Sequence, residues 1–124
     1  MYIRSMTLSS IDSHTNNTIL DPNGKYLTFI NTFTVEPDRA EALIQALKHS
    51  TEETFRSKTG FISVNLHMSR DHKRVVNYAQ WQSKEDYDAA FKTPEVQAHI
   101  KELASMAISF DPIDCDLRYV VMAK

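Results

Sequence analysis

Residues 61–82 read FISVNLHMSRDHKRVVNYAQWQ, and the way they alternate decides the fold. Over residues 61–69, Ile62, Val64, Leu66 and Met68 take one side and Ser63, Asn65, His67 and Ser69 the other. Over residues 74–82, Val75, Asn77, Ala79 and Trp81 form one side of a second run. Period-two alternation over such lengths is the signature of half-buried strands, and Ser69-Arg70-Asp71-His72-Lys73 between them reads as a hairpin tip.

Upstream of the hairpin, residues 26–35 (YLTFINTFTV) alternate in the same way and predict another strand, with Leu27, Phe29, Asn31, Phe33 and Val35 on one face. Pro37, Asp38 and Glu41 mark a helix start, and Ala40, Leu43, Ile44, Leu47, Thr51 and Phe55 recur at helical spacing toward Gly60, which is placed to close the helix off. Downstream, Ser83 and Asp86 form a capping pair for a short helix through Phe91. Thr93-Pro94-Glu95 starts another helix, whose apolar stripe is Val96, Ile100, Leu103, Ala104 and Ala107. Asp111-Pro112 is expected to break the chain, with Cys115 to Met122 as the last strand.

The order β-α-β-β-α-α-β is that of a ferredoxin-like split βαβ unit: an α+β fold with a four-stranded antiparallel sheet and helices on one face. The opposite sheet face then needs a cover. No further helix is available in the sequence, so a sheet-to-sheet homodimer, a dimeric α/β barrel, is expected. Residues 1–24 are polar and aperiodic and end in the turn Asp21-Pro22-Asn23-Gly24. They read as an arm, either a loose leader or a strap on a partner subunit, ahead of one domain over residues 25–124.

The 124 residues are 42% hydrophobic and 24% charged, with a net charge of −2, which fits a single domain with a substantial core. That charge disfavours sequence-independent nucleic-acid binding. With only two glycines, Gly24 and Gly60, no Gly-rich phosphate loop can be built. One cysteine, Cys115, allows neither an internal disulfide nor a cysteine zinc site and fits a reducing compartment. No stretch is apolar enough to span a bilayer, and the N-terminus lacks the apolar block of a secretory signal. The expectation is a cytoplasmic protein with no membrane partner.

Chemistry-bearing residues are few. The five histidines (14, 49, 67, 72, 99) never stand at the helical i, i+4 spacing of a metal pair, and no metal site is expected. No Ser or Cys has an identifiable base, so no hydrolase signature is present. What stands out is an asparagine on each of two core-facing sides: Asn31 among Phe29, Phe33 and Val35, and Asn77 among Val75, Ala79 and Trp81. Buried amides must find partners or line a cavity. Either they tie neighbouring strands together, or they are the polar points of an apolar pocket between sheet and helices. Trp81, the only tryptophan, and Tyr87 lie near the same side; taken singly, each is an ordinary core residue.

The segments Gly60-Phe61-Ile62-Ser63 and Arg74-Val75-Val76-Asn77-Tyr78-Ala79-Gln80-Trp81, followed by Ser83 and Tyr87, resemble the antibiotic biosynthesis monooxygenase family. The resemblance runs from about Leu27 to Val121. It implies a ferredoxin-like dimer and an oxygenase that converts a phenolic, anthrone-type small molecule to a quinone with O₂, without metal, flavin or haem. It also implies Asn77, Trp81 and Tyr87 as catalytic residues. The basic residue that such sites carry as Arg falls here on Lys101, which is not an equivalent donor. The expected substrate-binding set is Asn31, Phe29, Phe33, Phe91 and Lys101. Haem-degrading relatives use a strand Asn, matched by Asn31, with a helical Trp and His; those positions fall on Ala90 and Ile100, which disfavours that chemistry.

A different class of function stands beside the oxygenase: a dimeric barrel that binds a small apolar ligand as a sensor, carrier or isomerase. The two part on one feature. An open cavity shared by Asn77, Trp81 and Tyr87 favours catalysis; the same space filled by Phe29, Phe33 and Phe91 favours the second reading.

Overall fold

A computed structural model of the chain describes residues 17–124. Strand β1 (Leu27–Thr34) leads through a single 3₁₀ turn (Pro37–Arg39) into helix α1 (Ala40–Glu53). After a second 3₁₀ turn (Phe55–Ser57) come β2 (Phe61–Met68), β3 (Arg74–Trp81), helices α2 (Lys84–Phe91) and α3 (Pro94–Ser105), and β4 (Ser109–Cys115). The sheet order is β2-β3-β1-β4, every neighbouring pair is antiparallel, and the fold is the ferredoxin-like one expected.

Register explains which side chains meet. Asn31 stands directly opposite Asn77, Phe29 opposite Ala79, Phe33 opposite Val75 and Leu27 opposite Trp81. Because paired residues share a face, the helix side of the sheet carries three rows: Met68, Val75, Phe33, Phe110; then Leu66, Asn77, Asn31, Pro112; then Val64, Ala79, Phe29, Asp114. Two hydrophobic clusters gather at opposite ends of this face. One holds Phe33, Val35, Ala40, Leu43, Leu47, Val75 and Leu103. The other holds Leu27, Phe29, Ala79, Trp81 and Ala90, with Phe55, Phe61, Val64, Tyr87 and Phe91 packed against it.

Two expectations about strands are corrected. In β2 the register shifts between Phe61 and Ser63, so Phe61 faces Trp81. Strict alternation placed Ile62 on that side; the bulge sends Phe61 there instead, and its ring meets Trp81 edge-on at 5.5 Å. The last strand is Ser109–Cys115, not Cys115–Met122. It runs through Pro112 because it is an edge strand, where a missing N–H is tolerated. Asn31 Oδ1 accepts a hydrogen bond from the Asp111 N–H at 3.1 Å, which adds a side-chain tie where the proline interrupts the donors. Residues 116–124 have no regular secondary structure, and Tyr119, Val121 and Met122 are exposed.

Of the arm expected over residues 1–24, residues 1–16 lie outside the described residues. The remainder touches the sheet face away from the helices: Thr18 donates to Asn65 Oδ1 at 2.5 Å and Gln80 donates to the Ile19 carbonyl at 2.8 Å. Gln80 is buried, and its carbonyl oxygen also accepts from Ser63.

Helix α2 is set by its start. Ser83 caps it, accepting from the Asp86 N–H at 3.1 Å, as the sequence pattern indicated. Gly60 has φ +85°, and a Cβ there would run into the Asp86 side chain. The Gly60 carbonyl also accepts from the Gln82 N–H at 2.7 Å. Gly60→Ala should therefore lower unfolding free energy by about 2 kcal/mol in urea denaturation, from backbone strain plus the collision. A loss below a few tenths would mean that α2 moves aside freely.

Candidate active site

A cavity of about 230 Å³ lies between the sheet and helices α1 and α3, in the gap between the two clusters. Its floor is the central part of the sheet: Phe29, Asn31, Phe33, Asn77, Ala79 and Trp81. The gap has a simple origin, because the middle of the sheet carries Asn, Ala and Pro where larger apolar side chains would close it. Helices and turns supply Ser50, Phe55, Tyr87, Phe91 and Ile100, among others. Asn77, Trp81 and Tyr87 thus share one open space with Phe29, Phe33, Asn31 and Phe91, and the phenylalanines line it without filling it.

Lys101 is not brought there. The α3 residues on the cavity wall are Ile100, Leu103 and Ala104, and Lys101, turned away by helical rotation, is exposed. Among the described residues the wall carries no charged side chain. Polar character there comes from neutral groups alone: two amides, hydroxyls and an indole.

The two asparagines differ in what they do. Asn31 Oδ1 is occupied by the Asp111 N–H, so this amide ties neighbouring strands. Asn77 Oδ1 is fully buried and has no hydrogen-bond partner among the described residues. Such an atom costs about 1–3 kcal/mol unless something brought into the cavity satisfies it.

Trp81 is almost wholly buried, and aromatic rings cage it: Phe61 at 5.5 Å, Tyr87 at 5.9 Å, Phe91 at 6.3 Å and Phe55 at 6.5 Å, all edge-on. It is a core residue and a wall residue together. Tyr87 stacks on Phe91 at 4.2 Å and tilts against Phe29 at 5.1 Å. Burial pushes its phenol pKa well above the ordinary range, and the negative charges of Asp114 and Asp88 push it further. At neutral pH Tyr87 is a hydrogen-bond donor, not a phenolate base.

Ser50 is the residue that sequence reasoning passed over. The helical stripe was drawn through Thr51, but the buried positions of α1 are Ala40, Leu43, Leu47 and Ser50. The i, i+3, i+7, i+10 spacing carried past Leu47 would have found it. Its hydroxyl oxygen is the other buried polar atom without a partner among the described residues.

With this geometry established, comparison with known proteins places the chain. Residues 27–102 match the model of the antibiotic biosynthesis monooxygenase family, and the chain belongs to that family. It is an oxidoreductase, a monooxygenase. It is 35% identical over 100 residues to a tetracenomycin-F1 monooxygenase of Streptomyces glaucescens, an alignment covering 81% of this chain and 88% of that one. The crystal structure of the monooxygenase from the ActVA-Orf6 gene of Streptomyces coelicolor, in complex with nanaomycin D, superposes with a TM-score of 0.70 at 28% identity over 84% of this chain and 96% of that one. The fold is shared also with SnoaB, a cofactor-independent oxygenase from Streptomyces nogalater: TM-score 0.65, 23% identity, 77% of this chain and 96% of that one.

The Tyr87 phenol gives a pH prediction. A folded-state pKa raised above the unfolded value contributes stability that is complete below about pH 10 and is lost as pH rises beyond it. Tyr87→Phe should flatten the fall in melting temperature above pH 10 and leave the profile between pH 6 and 9 parallel to that of the parent. An equally steep alkaline fall in the variant would mean that the buried phenol titrates normally.

Proposed function

We propose that this monooxygenase acts without a cofactor, oxidising a phenolic, anthrone-type aromatic to a quinone with O₂. The observation that carries the reading is the buried, unpartnered Asn77 Oδ1 in an apolar cavity shared with Tyr87 and Trp81. An apolar chamber whose polar points are neutral hydrogen-bonding groups suits a flat aromatic that brings its own electrons. The likeness to the tetracenomycin-F1 enzyme, and to the enzyme crystallised with nanaomycin D, supports the same substrate class.

The reaction balances without an external reductant. A ring CH₂ beside phenolic rings, acidified by them, loses a proton to solvent water to give a delocalised carbanion, and the carbanion passes electrons to O₂ and forms a C–O bond. Protonation gives a hydroperoxide. Loss of the remaining C–H proton with cleavage of the O–O bond yields the carbonyl and one water. The methylene carbon gives up four electrons and O₂ takes four. The chain's contribution is to hold the phenol oxygens and to stabilise the charge that develops on them and on the peroxide. Asn77 Oδ1 accepts a phenol O–H, and Tyr87, held protonated by burial, donates to the developing oxyanion. Trp81 fixes the ring plane, with its caging aromatics keeping it in place.

Oxygen uptake with an anthrone and hydroquinone panel, on chelator-treated protein, tests this. Turnover above the spontaneous rate is expected to survive chelation and to fall by about 10–100-fold in Tyr87→Phe and in Asn77→Ala, as for loss of one oriented hydrogen-bonding group. Ligand binding with no turnover on any member of the panel would move the assignment to a non-oxygenase binding barrel.

The same reading includes a homodimer. Ile30 and Ile113 stand opposite one another on the sheet face away from the helices, beside Tyr78, and Ile113 is 49% exposed. Pairing two such faces would cover them, and the apolar residues beyond Cys115 would find contacts there. Ile113→Asp is expected to convert a dimer to a monomer in sedimentation velocity with the circular dichroism spectrum unchanged. A parent chain that sediments as a monomer would remove the dimer.

A further inference from the structure

We infer that Ser50 is a substrate-orienting residue, and that its hydroxyl and Asn77 Oδ1 together select an aromatic ligand with an O–H on one edge and a carbonyl on another. The inference rests on the oxygenase reading for its choice of ligand class, and it deepens that reading by naming the polar pattern the cavity takes.

Position 50 lies on the buried stripe of α1, one step beyond Leu47, where an apolar residue would pack against the core. Serine stands there instead, 2% exposed, on the cavity wall. A helical serine or threonine ordinarily satisfies its hydroxyl on the carbonyl four residues back. The neighbouring Thr51 does so, donating to the Leu47 carbonyl at 2.8 Å. Ser50 makes no such bond: its oxygen is buried and unpartnered among the described residues. The serine thus forgoes both the apolar packing of a core residue and the internal bond of a helical hydroxyl, a combination that makes sense where a ligand completes the bond.

The second unpartnered atom, Asn77 Oδ1, belongs to a sheet residue that also lines the cavity. An amide oxygen only accepts, so it calls for a ligand O–H. The Ser50 hydroxyl is free to donate, so it calls for a ligand carbonyl. The predominantly apolar and aromatic lining selects a planar ring system to carry the two groups. Phenol and carbonyl on one fused ring system is the pattern that satisfies both.

Two probes, held under nitrogen so that neither can be oxidised, test this: 2-hydroxyanthraquinone, whose phenol and carbonyls lie on separate edges, and 2-hydroxyanthracene, with the phenol alone. Binding is read from quenching of Trp81, the single tryptophan and part of the cavity wall. In Ser50→Ala, affinity for the quinone should fall about five- to tenfold while affinity for the anthracene is unchanged, the size of one lost hydrogen bond. Removing an unpartnered buried hydroxyl should also leave the melting temperature of the ligand-free protein unchanged or higher. Ser50→Cys, close in volume and a weak donor, should shift the affinity ratio in the same direction, which keeps the test readable if the alanine variant folds poorly. An unchanged ratio, or equal weakening toward both probes, overturns the assignment and makes Ser50 a packing residue or a site for bound water. Because O₂ is excluded, neither probe turns over, and the outcome stands whether or not oxygen uptake is found.

Discussion

The molecule depends on a deliberate shortage of bulk at the centre of its sheet. Asn31 and Asn77 face one another across β1 and β3, Pro112 and Leu66 complete their row, and Ala79 sits in the next. Large apolar side chains in place of Asn31, Asn77, Pro112 and Ala79 would merge the two hydrophobic clusters into a continuous core. With short and polar ones, the clusters remain separate anchors and the space between them persists. One anchor seats α1 and α3 and the other seats α2, so the gap survives without collapsing.

Division of labour between the paired asparagines follows from the edge strand. Pro112 deprives β4 of a donor, and Asn31 answers by bonding to the neighbouring Asp111 amide. The Asn77 oxygen, by contrast, has no partner among the described residues. A similar logic runs through Trp81 and Tyr87. Each is locked by aromatic contacts to the far cluster, and each also presents a surface to the cavity. Rigid placement of this kind is what an orienting site needs, because a side chain that has already lost its freedom in the core loses little more when a ligand arrives.

Much of this was legible in the alternation of three strand segments and the capping residues of the helices. The faces of β1 and β3 follow directly from period two, which brings Phe29, Asn31, Phe33, Asn77 and Trp81 to one side. The misses have physical causes. Period two cannot announce a bulge, so it puts Ile62 on the side that Phe61 takes. Asp111-Pro112 looked like a break because a proline's tolerance on an edge strand depends on sheet order, which local sequence does not contain. The alternating Leu117, Tyr119 and Val121 looked like a strand, but the chain gives them no neighbour to pair with. Lys101 came from family position and not from helical phase; the phase set by Ile100 and Leu103 turns it outward. Ser50 was hidden because a polar residue on an apolar stripe reads as the stripe's end.

Gly60 and Asp86 occupy facing positions so tightly that the glycine's missing side chain is the room the aspartate uses. The residue after that aspartate is Tyr87. The two positions therefore amount to a single choice: a larger residue at 60 is admissible only alongside a smaller one at 86 and a backbone that no longer needs positive φ. Change of that kind re-seats the start of α2 and with it the tyrosine. The seating of Tyr87 on the cavity wall is thereby tied to a pair of residues that are not part of that wall.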